Sequence, residues 1–223
     1  MTTHILNLEP GDYYTQRNNP AVYGDNPRVD GDKDFLLRSS SQCMGTTYVM
    51  FLIGNKISFD NPTNLPDDAY FGKLLITREA WEFAAKKYPW SINRTDNLGN
   101  PLPDIPPNEI HGMYGSYLSP IVCGRRVSDF ATGLSFGDYL KRIDAGEVIM
   151  TSGRFPGVDG HAFLAAGTIL SPMETVISLA DPWGDFRTGY RSHKGYGIPM
   201  SQEEFITHVK PEGKTNKWGH VKI

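Results

Sequence analysis

Apolar residues change their period partway along the chain, and the change separates a helical stretch from a stranded one. Tyr48 to Ile53 form an unbroken apolar run, with Ser39, Ser40 and Ser41 shortly before it and Gly54–Asn55 directly after it. A surface helix would show a single apolar stripe, and a membrane span would need about 20 apolar residues, so this run predicts a helix buried inside the protein. A serine would cap its first turn, and Gly54–Asn55 would close it in the left-handed conformation. Asp67–Leu75 and Thr77–Tyr88 also read as helices, the second capped by Thr77, with Trp81, Ala84, Ala85 and Tyr88 on its apolar face and Pro89 ending it.

Beyond a Gly/Pro-rich loop at Asn97–Pro107, Asn108–Leu118 predicts a further helix. Ser135 followed by Asp138 has the spacing of a capping box for a helix through Ile143, closed by Gly146. The period then changes. Val148–Thr151, His161–Leu170 and Thr175–Ala180 are β-branched or apolar runs separated by turns. They predict an antiparallel sheet packed on the helices of the first half. The expected class is α+β, in one domain over residues 1–223. An irregular arm rich in Asn, Asp, Gly and Pro is expected over roughly residues 1–38.

Composition narrows the function. The chain has 223 residues and a formal charge of −3, enough length for a full core and no basic excess that would imply nucleic acid or a membrane surface as partner. No phosphate-cradling glycine motif and no zinc-ligand spacing is present, so no cofactor is required by any motif. The opening MTTHILNLEPGDYY has no basic segment followed by an apolar run, so the expectation is a chain made in the cytoplasm without a signal peptide. Nothing in the pattern sets an oligomeric state.

The candidate chemistry begins at Cys43, which falls in the first turn of the buried helix. The positive end of a helix dipole favours thiolate over thiol, which makes Cys43 a candidate nucleophile; the alternative is a small buried hydrophobe. His161 follows Gly157–Gly160 and opens a strand, while Asp181 ends the next strand before Pro182. Antiparallel neighbours joined by a turn place the start of one beside the end of the next, so His161 and Asp181 can be adjacent. Cys43, His161 and Asp181 would then be nucleophile, base and orienting carboxylate.

Other residues have less to place them. Gln16 follows the aromatic pair Tyr13–Tyr14, which could anchor it, or it could sit in a solvated loop. Asp30, Asp32 and Asp34 alternate as the first ligands of a calcium loop would, although Phe35 stands where glycine belongs and Ser41 where glutamate does. The other reading is a hydrated acidic turn. His111, His193, His208 and His220 read as surface or packed side chains, and Cys123 as a core thiol.

In their order, QCMGTTYVMFL, GHAFLAAG and ADPWGDF resemble the papain-fold cysteine peptidases that process bacteriocin leaders. TQRNN, DDAYF, PNEIHGM and DPWGDFRTGY, with Trp218 near the end, resemble more narrowly the phage-encoded lysins of that type; the likeness spans Tyr13 to Trp218. The resemblance implies a papain-like fold and a cysteine peptidase or amidase acting on the stem or bridge peptides of bacterial peptidoglycan. Such an enzyme would reach the wall after release from the cytoplasm. The resemblance also implies that Cys43 is nucleophile, His161 base and acid, Asp181 orienter and Gln16 oxyanion donor, with Gln42 competing for the last role. Two departures stand out: Met44, not glycine, follows the cysteine, and the gap from Gln16 to Cys43 is longer than usual. A silent binding or tail-structural module, or a deamidase or transferase using the same triad, are the alternatives.

Overall fold

The computed structural model describes residues 3–25, 35–92, 94–155, 157–209, 211–212 and 216–223. The fold is α+β, with helices packed on an antiparallel sheet. Short strands β1 (Thr3–Leu6), β2 (Val22–Gly24) and β3 (Phe35–Leu37) precede helices α1 (Cys43–Gly54), α2 (Asp67–Leu74) and α3 (Arg78–Lys87). A helical run follows, made of α4 (His111–Met113), a π turn (Tyr114–Leu118) and α5 (Ser119–Cys123). Then come β4 (Ser128–Leu134), α6 (Phe136–Asp144), β5 (Ile149–Phe155), β6 (Val158–Leu170), β7 (Thr175–Ala180) and β8 (Tyr196–Met200). The chain ends with α7 (Gln202–His208), β9 (Pro211–Glu212) and β10 (Asn216–Lys222).

Strand order is β4-β10-β5-β6-β7-β8, with β1 pairing on β6 and β9 on β10. Because β6 is central, both of its faces are buried. Ala162, Leu164 and Ala166 face a core shared with Tyr48, Val49 and Leu52 of α1. Phe163 and Ala165 face a second core with Tyr139 and Ile143 of α6 and Phe205 of α7. That division explains why GHAFLAAG is apolar without alternation.

Helix α1 is enclosed as its all-round apolar run predicts, with Tyr48, Val49, Met50, Phe51 and Leu52 fully buried. Burial of each large side chain contributes about 1.5–3 kcal/mol. Gly54 lets the helix approach β5 closely, since a Cβ there would meet the Val148 side chain at 2.8 Å. The helix end differs from expectation. Asn55 stays out of the left-handed region, and its side-chain amide donates to the carbonyls of Phe51 and Val148, at 2.9 and 3.0 Å. The left-handed residue is Lys56, at φ 57°.

Thr77 caps α3, and Ser135 with Asp138 closes a full capping box on α6. The helix expected at Asn108–Leu118 begins later, at His111, and continues through Pro120 to Cys123, where Gly124 at φ 69° ends it. Proline there has no N–H to return to the preceding turn, and the π turn falls just before it. The N-terminal arm is more ordered than its composition suggests, because β1 extends the sheet on β6 and β2 pairs with β3. Among the described residues no helix is long and apolar enough to cross a membrane.

Candidate active site

Cys43 is the first residue of α1, and it arrives there by a tight route. Ser39–Ser41 form a 3-10 turn that runs straight into the helix, so none of the three serines caps it and the N-cap residue, Gln42, makes no side-chain cap bond. The first-turn N–H groups of α1 therefore have no capping side chain, and they sit beside the Cys43 thiol. A helix start of this kind favours negative charge, on a thiolate or on an oxyanion.

His161 pairs with Gly153 across β5 and β6, at a register shift between Gly153 and Arg154. Asp181 directly follows β7, whose last residue, Ala180, pairs with Leu164 of β6. This brings the two side chains together: His161 Nε2 lies 2.6 Å from Asp181 Oδ1. His161 is 4% exposed and Asp181 0%, so the contact is sealed in the core. With Nε2 held by Asp181, the ring's Nδ1 is the nitrogen left for Cys43, which lines the same cleft. Burial alone would push the imidazole toward its neutral form. The Asp181 charge and hydrogen bond, with smaller contributions from Cys43, override it and raise the His161 pKa to about 10.

The loop after β7 supports the carboxylate from several sides. Trp183 N donates to Asp181 Oδ1 at 2.9 Å, and the Tyr190 hydroxyl approaches Oδ2 at 3.5 Å. Tyr190 packs edge-on against the His161 ring, with centroids 5.8 Å apart, and holds a left-handed backbone at φ 61°. A non-glycine residue in that region is strained, and such strain gathers at functional sites. Asp181 N donates to Gly195 O at 2.8 Å. Only glycine fits at position 195, where a Cβ would collide with the Asp181 carbonyl and the Tyr13 hydroxyl.

The arm closes the arrangement from the other side. Tyr13 OH donates to Asp181 O at 2.7 Å, Thr15 Oγ1 to Pro182 O at 3.1 Å and Arg17 Nε to Trp183 O at 2.6 Å. The Arg17 guanidinium lies over the Trp183 ring, 3.9 Å from its centroid. TQRNN is thus a clamp between the Asp181 loop and the start of α1, not a solvated loop.

Within that clamp the two glutamines part company. Gln16 is 1% exposed, and its Nε2 donates to Ser39 O at 2.9 Å, in the turn that delivers Cys43. Nε2 carries a second hydrogen beyond that bond. Gln42 Nε2 donates to Pro20 O at 2.9 Å and to Leu37 O at 3.4 Å, while its Oε1 accepts from Asn19. Its donors are committed to structure. Asn19 goes on to Asp68 Oδ2 at 2.6 Å, which also accepts from Thr46 of α1 at 2.9 Å. Burial first, against these bonds, raises the Asp68 pKa.

A cleft of about 350 Å³ opens over Cys43 and His161, with Ser41, Asn108, Glu109 and Gly160 among its walls. Asn108 is 3% exposed and its Oδ1 has no hydrogen-bond partner. Sequence reasoning missed Asn108, Tyr190 and Gly195. Asn108 and Tyr190 lie within PNEIHGM and DPWGDFRTGY, which gave them no role of their own, and nothing local marks Gly195.

The remaining candidates fall elsewhere. Asp30, Asp32 and Asp34 lie outside the described residues, and among the described residues no cluster of His, Cys, Asp and Glu could hold a metal ion. His220 is fully buried and stacks on His111, with centroids 5.6 Å apart, and His208 stacks on Phe155. Both cysteines are free, and burial raises the Cys123 thiol to about 11. No family model, no curated protein and no solved structure matches the chain.

Proposed function

We propose that this chain is a cysteine hydrolase of papain-like architecture that cuts an amide bond in the stem or bridge peptides of bacterial peptidoglycan. The observation that carries the hydrolase reading is the row Cys43, His161, Asp181. A thiol at an uncapped helix start shares a cleft with an imidazole that a buried carboxylate holds at 2.6 Å. The substrate class rests on the resemblance of TQRNN, PNEIHGM and DPWGDFRTGY to the phage-encoded lysins. On this reading the chain acts on the wall after its release from the cytoplasm.

His161 takes the Cys43 proton, and the thiolate attacks the amide carbonyl carbon. Negative charge then forms on the carbonyl oxygen, facing the first-turn N–H groups of α1 and the free hydrogen of Gln16 Nε2. The C–N bond breaks as His161 returns the proton to the amine, leaving a thioester on Cys43. Water, deprotonated by His161, hydrolyses the thioester and restores the thiol. Asp181 keeps the ring in the orientation both transfers need.

Alkylation tests the nucleophile. Iodoacetamide at neutral pH should modify Cys43 well before Cys123, whose thiol is raised to about 11, as read by peptide mass mapping. Equal rates at the two cysteines would remove the basis of the proposal.

A further inference from the structure

A second cavity, of about 580 Å³, adjoins the catalytic cleft, and Glu109 and His111 line both. Its walls carry aromatic rings from separate parts of the fold. Tyr88 and Trp90 come from the end of α3 and the turn after it, and their rings meet edge to face at 6.3 Å. Phe130 of β4 and Trp218 of β10 supply the other pair, 5.5 Å apart. Trp90 is 64% exposed, so its ring is open to a ligand in the cavity.

The same cavity is lined by charged and hydroxyl groups, with Lys87, Arg126 and Asp129 at its rim and Ser116 beside the Tyr88 hydroxyl. Arg126 pairs with Asp129, and Ser116 with the Tyr88 hydroxyl and the Gly112 carbonyl; a ligand bearing hydroxyls can join those bonds where an apolar side chain could only cover them. A pyranose ring has C–H faces that lie on aromatic rings and hydroxyl edges that reach polar groups, so it matches both kinds of wall. The volume falls within the range of about 300–1,000 Å³ typical of small-ligand sites. Continuity through Glu109 and His111 places such a ligand next to the amide to be cut.

We infer that this cavity binds a saccharide unit of the substrate, so that the enzyme recognises sugar and peptide together. The inference rests on the amide-hydrolase reading for its purpose but not for its test. The Cys43→Ala protein is titrated with a soluble oligomer of N-acetylglucosamine while the indole N–H signals are followed by NMR. Trp90 and Trp218 should shift saturably while Trp81 and Trp183 stay in place, and Trp90→Ala should weaken binding at least tenfold. No saturable shift, unchanged binding in Trp90→Ala, or tighter binding of N-acetylphenylalanine amide at the same rings would overturn it. The readout does not depend on catalysis. Its failure leaves the hydrolase reading standing, and sugar binding by a chain whose Cys43 is inert would leave the cavity standing.

Discussion

His161 Nε2 and Asp181 Oδ1 stand 2.6 Å apart where the start of β6 lies beside the end of β7, and water reaches neither side chain freely. In that setting the carboxylate does more than orient the ring. Against the pull of burial, it raises the imidazole pKa to about 10, which stabilises the imidazolium formed once His161 has taken a proton.

The pH profile follows with a definite sign. Since the His161 pKa is raised from 6.5 to about 10, turnover should hold through neutral pH and fall on the alkaline side near 10. Asp181→Asn should move that limb toward 6.5. Stability shares the linkage: the contribution is fully present below the unfolded value of 6.5 and is lost as pH rises through about 10. Rates and urea midpoints measured across this window check both statements, and an alkaline limb near 6.5 in the wild type would contradict them.

Gln16 and Gln42 should fail differently when truncated. Gln16→Ala removes the proposed oxyanion donor and should lower kcat about a hundredfold to a thousandfold with KM little changed. Gln42→Ala removes the donor to the Pro20 carbonyl and strands the buried Leu37 carbonyl, and should cost about 1–3 kcal/mol of stability. Steady-state kinetics beside thermal melts separate the two outcomes. A large kcat loss in the Gln42 variant at full stability would reverse the assignment.

Much of the helical half was legible in advance because its signals are local. The apolar run 48–53, the Thr77 cap and the Ser135–Asp138 box each depend on a few neighbouring residues, and each held. Cys43, His161 and Asp181 were legible for the same reason, as the start of a helix and the ends of neighbouring strands. Residues whose role is set by distant partners were not. β1 earns its place only by pairing with Gly167–Leu170, and Tyr13 by reaching Asp181. β4 and β10 pair across most of the second half of the chain, and no local period announces such a match.

Gly195 offers a check on the support behind Asp181. Gly195→Ala drives a methyl into the Asp181 carbonyl and the Tyr13 hydroxyl, so the loop must shift, at a cost of about 1–3 kcal/mol. Turnover should fall further than the melting point alone would explain, because Asp181 moves relative to His161. Equal activity at equal stability would mean that the loop yields without moving the carboxylate.

Asn108 should act on substrate and not on the nucleophile. Its buried Oδ1 lacks a partner beside the cleft, a position from which it can accept a substrate N–H. Asn108→Ala should raise KM while leaving the rate of Cys43 alkylation by iodoacetamide unchanged. A variant with slowed alkylation and normal KM would assign the residue to the catalytic row instead.

Digestion of purified peptidoglycan tests most directly the proposed cleavage of a wall-peptide amide by Cys43. Wild-type protein and the Cys43→Ala variant are incubated with cell walls, and newly formed amine and carboxyl termini are identified by mass spectrometry. The wild type should release the two termini in equal number at one kind of peptide bond, and the variant, folded to the same melting point, should release neither. Intact wall peptides after wild-type treatment, or the same cleavage by the alanine variant, would contradict the account.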